Sequence, residues 1–393
     1  MINIQQTRDD TPACEHYTHL NNAGASLVPR SVVNAQLDYI EFESRTGGYE
    51  AAAYRAAAIQ AFYSRAAQLF NTESHHIAFM TSATEAFNKA LSSIPFEEDD
   101  VILTTDDDYV SNQIAFLTLR KRMGIKIVRA AKYSDGGVNV NSVAELIQKH
   151  NPRLVAITHI PTNSGTIQDV AAIGKLCRQR GTWYIVDGCQ SAGQLDIDIQ
   201  AIGCDFYSAT FRKFLRGPRG TGLLCISRRV VAENLTPLFP DLGGANWISP
   251  YDYEMVDNAK RFEYWERNYA NLMGASAALT YAIDIGMPEI ESRIKKLTQY
   301  TREKLAALPG FRLMDKGKNL GAIISLHSDR MTSHELKAYL INKNIHTSVT
   351  ERSSALIDLD EKGVDSVLRI SPHYYNTEAE IDHVVDMLSV TFD

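Results

Sequence analysis

The chain has 393 residues, 45% of them apolar and 22% charged, with a net charge of −7. That length exceeds what one hydrophobic core normally fills, so two lobes are expected. The acidic balance excludes nucleic acid and anionic membrane surfaces as main partners. Five cysteines, at 14, 177, 189, 204 and 225, show no metal-ligand spacing, and no metal site is expected. The amino-terminal MINIQQTRDD is polar, and no run approaches the ~20 apolar residues of a membrane span. A reduced, cytoplasmic protein without disulfides is expected.

Residues 1–18 read as a polar surface segment, after which LNNAGASLVP forms a turn-rich entry. The spacing of Val32, Val33, Leu37 and Ile40 predicts a helix over 31–44 with one apolar face. RTGGYE supplies a glycine hinge, and an alanine-rich helix follows over 51–70. A short strand over 76–80 leads into TSATEAFNKAL, a turn and a helix start. The unsatisfied N–H groups and dipole of such a start suit a phosphate, though Ser82 and Glu85 also read as an ordinary cap.

From Val101 strands and helices alternate: VILTT, a helix over 111–123, IKIVRAA, a helix over 141–149, RLVAITHI, and a helix over 167–180 ended by Gly181. Alternation of this kind predicts parallel strands with helices on both faces of the sheet. The next strand, Tyr184 to Val186, places Asp187 just past its carboxyl end, where open α/β sheets bind ligands. Lys213 follows 26 residues later, between short apolar runs at 204–207 and 223–226. LRGPRGTG leads into a strand instead of opening a helix, which excludes a nucleotide-binding glycine loop. LFPDLGGANWISPYDYE reads as a loop. A long helix over 268–285 precedes a compact helix and strand unit, with strands near 322–326 and 367–370 and helices at 333–342 and the carboxyl end.

An aspartate at a strand end and an accessible lysine are what an enzyme carrying pyridoxal phosphate needs. The lysine binds the cofactor's aldehyde covalently, and the carboxylate keeps the pyridine nitrogen protonated so that the ring accepts electrons.

The segments LNNAG (20–24), SATEAFN (82–88), DYVSN (108–112), HIPTNSG (159–165), VDGCQSAG (186–193), SATFRKFLRGPRGTG (208–222), RFEYWE (261–266) and VLRISPHYYNTEAEID (367–382) carry a resemblance over nearly the whole chain. In their order they resemble the fold-type I pyridoxal-phosphate enzymes of the class V aminotransferase and cysteine desulfurase superfamily. GPRGTG, RFEYWE and HYYNTEAEID are most similar to hercynylcysteine sulfoxide lyase-like and isopenicillin N epimerase-like proteins.

The resemblance implies an α/β fold. Its large pyridoxal-phosphate-binding domain, with a mostly parallel central sheet, covers 16–260, and a smaller α+β domain takes 1–15 and 261–393. It assigns catalysis to Lys213 and Asp187 and cofactor contacts to Ala83, Thr84, Tyr109, Thr162, Gln190, Thr210 and Arg212. Tyr109 stands where the family stacks a ring on the pyridine, a place usually taken by histidine in desulfurases. Either Thr162 or its neighbour Asn163 serves the cofactor's phenolic oxygen, with Gln190 as second partner. Arg212 complements phosphate or acidifies the neighbouring ammonium. Arg369 grips the substrate's α-carboxylate, with Asn22 and Gly24 beside it. A homodimer is implied, with Gly243 and Gly244 near the other subunit's site.

Desulfurases carry a nucleophilic cysteine shortly before that arginine, whereas this chain reads TSVTERSSALIDLDEKGVDSVLR there and has no cysteine after Cys225. The implied activity is therefore a carbon–sulfur β-lyase that cleaves a cysteine conjugate or sulfoxide to pyruvate, ammonia and a sulfur product. The alternatives are an aminotransferase or epimerase using the same first steps, and a catalytically inactive cofactor-binding protein.

Overall fold

The computed structural model describes residues 2–391. Seven strands form the central sheet: β2 (Ile77–Met80), β3 (Val101–Thr104), β4 (Lys126–Arg129), β5 (Leu154–Thr158), β6 (Trp183–Asp187), β7 (Phe206–Thr210) and β8 (Gly222–Ile226). A two-residue strand β1 (Thr18–His19) precedes them in the chain. The sheet order is β2-β8-β7-β6-β5-β3-β4, and only β8 runs against its neighbours.

Strand side chains alternate between two cores. Val155, Ile157, Tyr184 and Val186 enter one, while Leu154, Ala156, Trp183 and Ile185 enter the other. Both faces are covered, which is why β5 and β6 are buried at every position and read as continuous apolar runs instead of alternating ones.

The second lobe holds an antiparallel sheet in the order β11 (Phe311–Leu313), β12 (Ile324–Ser328), β15 (Ser366–Ile370) and β14 (Ser348–Glu351). Chain order from the central sheet runs through an exposed hairpin, β9 (Ala245–Ser249) and β10 (Asp252–Met255), then β11 (Phe311–Leu313), β12 (Ile324–Ser328), β13 (Ile345–His346), β14 (Ser348–Glu351) and β15 (Ser366–Ile370). Its own core includes Leu297, Leu326, Leu340, Leu368 and Ile381.

Three sequence expectations change. Residues 1–18 are not a loose surface segment: Ile4–Asp9 is helical and Thr7, Thr11 and Cys14 are buried. Arg8 ties this stretch to the Tyr375 carbonyl at 3.2 Å and to Glu380 at 3.0 Å. The helix expected over 51–70 breaks at Arg55 into Gly48–Tyr54 and Ala56–Leu69. The helix Tyr269–Ile285 packs on Arg30–Thr46 and Ala56–Leu69. The expected loop at 238–254 contains the β9–β10 hairpin, whose ladder forms although its side chains stay largely exposed.

Candidate active site

The site lies at the carboxyl ends of β5, β6 and β7, where the parallel strands stop and their loops turn over the sheet. One cavity there is lined by Ser82, Ala83, Thr84, Tyr109, Thr162 and Lys213, among others; Asp187, Gln190, Thr210 and Arg212 also reach it. Every residue assigned to the cofactor in the sequence thus borders one space.

Asp187 ends β6 and is 3% exposed. Its Oδ1 accepts from the Cys189 N–H at 2.9 Å and its Oδ2 from Asn112 Nδ2 at 3.0 Å. Lys213 sits in the turn after β7. Gly193 supports that turn from behind: it adopts φ +89°, and a Cβ there would lie 2.4 Å from the Phe214 carbonyl. Lys213 Nζ stands 5.9 Å from the centroid of the Tyr109 ring. Burial lowers its pKa, and the Arg212 and Arg369 charges act in the same sense. A buried amine poised toward its neutral form is a competent nucleophile and base.

The helix Ala83–Ser93 begins at the cavity, capped by the Ser82 hydroxyl, which accepts from the Glu85 N–H at 3.1 Å. Its first N–H groups, on Ala83 and Thr84, have no partner within the helix and stand at the cavity wall. Gly222 lets this helix start approach β8, since a Cβ there would meet the Ser82 carbonyl carbon at 2.6 Å. Thr210 Oγ1 donates to the Thr221 carbonyl at 3.3 Å, and Arg212 to the Gly24 carbonyl.

Thr162 and Asn163 have parted. Thr162 Oγ1 accepts from Gln190 Nε2 at 3.1 Å and from Arg369 at 2.8 Å, whereas Asn163 turns away and donates to Asp358 at 2.6 Å. Arg369, on β15, also donates to the Thr162 carbonyl and to Ser348 Oγ, each at 3.0 Å. Among the described residues no carboxylate pairs with it, and burial lowers its pKa to about 10 with Arg212 contributing.

Asn22 does not face the cavity as expected. Its amide donates to the carbonyls of His19 and Ser371 and its oxygen accepts from the Tyr375 hydroxyl, so the side chain is spent on fastening the entry turn to the second lobe. The Gly24 carbonyl accepts from Arg212, and the Gly24 N–H donates to the Asn21 carbonyl at 3.0 Å. Gly243 and Gly244 have a reason within their own chain: a Cβ on either would come within 2.7 Å of backbone at Trp265 or Arg261. The residues that sequence reasoning missed are Asp108 and Asn112, which sit behind Asp187. Their signal was present in DYVSN, since i and i+4 on a helix start share a face.

The donor set fits pyridoxal 5'-phosphate on observations of this chain alone. Unpaired helix-start N–H groups suit a dianionic phosphate, and the buried Gln190 Oε1 lacks a hydrogen-bond partner among the described residues. Asp187 and Lys213 supply a carboxylate and an amine to the same cavity. Cys189 is the one cysteine lining the cavity; burial pushes its thiol far up, away from the thiolate form. All five cysteines are free. No helix of the described residues is long and apolar enough to cross a membrane.

Residues 18–384 match the aminotransferase class-V family. A probable cysteine desulfurase of Methanothermobacter thermautotrophicus is 30% identical over 390 residues, covering 97% of this chain and 96% of the relative. A probable cysteine desulfurase of Xylella fastidiosa is 29% identical, covering 98% and 94%. Among solved structures, apo cysteine desulfurase from Thermococcus onnurineus superposes with a TM-score of 0.92 at 23% identity, covering 100% of this chain and 98% of that one. A cystine C–S lyase in complex with its product cysteine persulfide gives 0.86 at 22% identity, covering 96% and 99%.

Proposed function

The chain belongs to the class V aminotransferase family, and from that premise we propose that it is a pyridoxal 5'-phosphate enzyme cleaving the carbon–sulfur bond of a cysteine-derived amino acid. The products are pyruvate, ammonia and a sulfur compound that leaves with the substrate's own sulfur. When bound, the cofactor supplies an electron sink for the bond-breaking electrons at the substrate's α-carbon.

The chain's residues divide the remaining work. Ala83 and Thr84 N–H groups with Thr210 and Arg212 hold the phosphate, and Tyr109 supplies the ring face. Asp187 keeps a proton on the ring nitrogen. Gln190 and Thr162 serve the phenolic oxygen. Arg369 takes the α-carboxylate in its fork, which no acid among the described residues occupies. Lys213 anchors the cofactor and, released from it, takes the α-proton.

One observation carries the choice of lyase over desulfurase. The stretch where desulfurases bear their nucleophilic cysteine contains none, and here it forms a helix, Leu356–Lys362, docked on the large lobe through Asn163–Asp358 at 2.6 Å and Lys132–Glu361 at 2.6 Å. A relative named cystine C–S lyase shares the fold, in keeping with sulfur leaving on the product.

Exposed apolar side chains at Leu37, Ile40, Phe239, Trp247 and Tyr251 support a homodimer. The deciding experiment incubates the purified holoenzyme with cystine, cysteine conjugates and cysteine sulfoxides. Equal pyruvate and ammonia without an added keto acid is the expected result. Dependence on a keto acid identifies an aminotransferase, racemisation without pyruvate an epimerase, and no turnover an inactive binding protein.

A further inference from the structure

A second carboxylate lies behind Asp187. Asp108, 7% exposed, accepts from Thr104 Oγ1 at 2.6 Å, from the Tyr109 N–H at 2.9 Å, from Asn112 Nδ2 at 3.2 Å and from Thr158 Oγ1. The same Asn112 nitrogen donates to Asp187 Oδ2 at 3.0 Å. Asn112 is 2% exposed and lies in the first turn of the helix Val110–Met123.

This arrangement fixes the amide. Turned over, Asn112 would present its oxygen to two carboxylates with no proton between them; as placed, each of its two N–H bonds serves one acid. The Cys189 N–H holds the other oxygen of Asp187 at 2.9 Å, so the carboxylate is gripped from both sides. Donors on a carboxylate favour its charged form.

The neutral amide also keeps the two acids apart. In direct contact they would share one proton, as paired carboxylates do. Burial raises the pKa of Asp108 to about 6, and the Asp187 charge pushes the same way. Through the Tyr109 N–H, Asp108 also fixes the start of the residue that presents its ring to the cavity.

We propose that Asn112 is a positioning residue: its amide, braced by Asp108, keeps the Asp187 carboxylate ionised and aimed at the ring nitrogen of the bound cofactor. This rests on the cofactor reading given above. Asn112 is not itself catalytic, since it reaches neither substrate nor cofactor.

The test uses holoenzyme loaded with pyridoxal 5'-phosphate carrying 15N in the ring. The ring-nitrogen resonance is followed against pH beside kcat and KM for Asn112→Ala, Asn112→Asp, Asp187→Asn and the wild type. In the wild type the nitrogen stays protonated across the range, and Asp187→Asn abolishes this. Asn112→Asp, which sets a carboxylate against Asp187, moves the resonance toward the unprotonated form and lowers kcat roughly 10-fold or more, with KM within about 3-fold. Asn112→Ala moves it less. If both Asn112 variants misfold, Thr158→Val removes a donor from Asp108 and should shift the resonance in the same direction. Variants that keep the wild-type resonance overturn the inference, whether or not turnover falls, while a wild-type resonance unaffected by Asp187→Asn overturns the cofactor reading beneath it.

Discussion

Arg369 is hard to explain by folding alone. It is 9% exposed and among the described residues its donors reach only a hydroxyl of Ser348 and the carbonyl and hydroxyl of Thr162. A buried guanidinium without an acid costs stability, and such a cost is retained where a ligand supplies the missing charge. Charge-assisted hydrogen bonds contribute about 1.5–3 kcal/mol each, so Arg369→Ala should raise KM for the amino acid roughly ten- to hundredfold. Cofactor retention should not change. Steady-state kinetics with a cofactor absorbance scan checks both, and an unchanged KM would place the substrate carboxylate elsewhere.

His159 gives a residue-scale prediction for acid stability. Burial lowers its pKa from 6.5 to about 4. Above pH 6.5 it is neutral in both folded and unfolded chains; as pH falls toward 4 the unfolded chain takes the proton first and stability is lost. The loss is about 3 kcal/mol at most. Asp107 and Asp108, raised to about 6 by burial, act oppositely below pH 6, so the whole-protein curve mixes the terms. The difference between wild type and His159→Leu isolates one of them. Urea titrations at pH 7 and pH 4 should show the variant gaining on the wild type at the lower pH, and a gap independent of pH contradicts the assignment.

At the scale of elements, the helix Leu356–Lys362 stands out because its anchors are polar. Asp358 is 4% exposed and accepts from both Asn163 and Lys362 at 2.6 Å. Asn163 neighbours Thr162, which braces Arg369, so the docked helix supports the substrate-carboxylate site from the side. Asp358→Ala leaves a buried amide and an ammonium without their acceptor. The cost is about 1–3 kcal/mol, with KM rising more than kcat falls and faster proteolytic nicking between residues 352 and 365. Wild-type KM and cleavage rate together would contradict the coupling.

The elements also show what was legible. Buried parallel strands announced themselves as apolar runs, and Asp187 and Lys213 followed from where β6 and β7 end. Tertiary pairings did not. Asn22 looked like a substrate contact because LNNAG matches a motif, yet two of its three side-chain hydrogen bonds go to Ser371 and Tyr375, far along the chain, and the third to His19. The partner of Asn163, Asp358, lies nearly 200 residues away along the chain. The break at Arg55 was hidden because alanine-rich sequence has helical propensity on both sides of it.

For the whole molecule, the apolar stripe predicted on the helix Arg30–Thr46 is the instructive case. Val32 is buried, but Leu37 is 57% exposed and Ile40 53%. Trp247 at 82% and Tyr251 at 99%, on the β9–β10 hairpin, are left bare as well. A single chain does not cover these side chains, and a second copy is the reading proposed for them. Trp247→Glu should shift a dimer toward monomer in sedimentation experiments while leaving the monomer's melting behaviour within a few degrees. A wild-type protein that sediments as a monomer at micromolar concentration contradicts the dimer.

The central claim is that sulfur leaves on the product and never rests on an enzyme thiol, and Cys189→Ala tests it most directly. Cys189 is the one cysteine at the cavity, and Cys14, Cys177, Cys204 and Cys225 are buried away from its lining. With a cysteine-derived substrate that the wild type converts, the account predicts equal pyruvate and ammonia at a rate within about 3-fold of wild type. Intact-protein mass during turnover should show no added sulfur on either protein. Loss of turnover in the variant, together with a persulfide on Cys189 in the wild type, would contradict it.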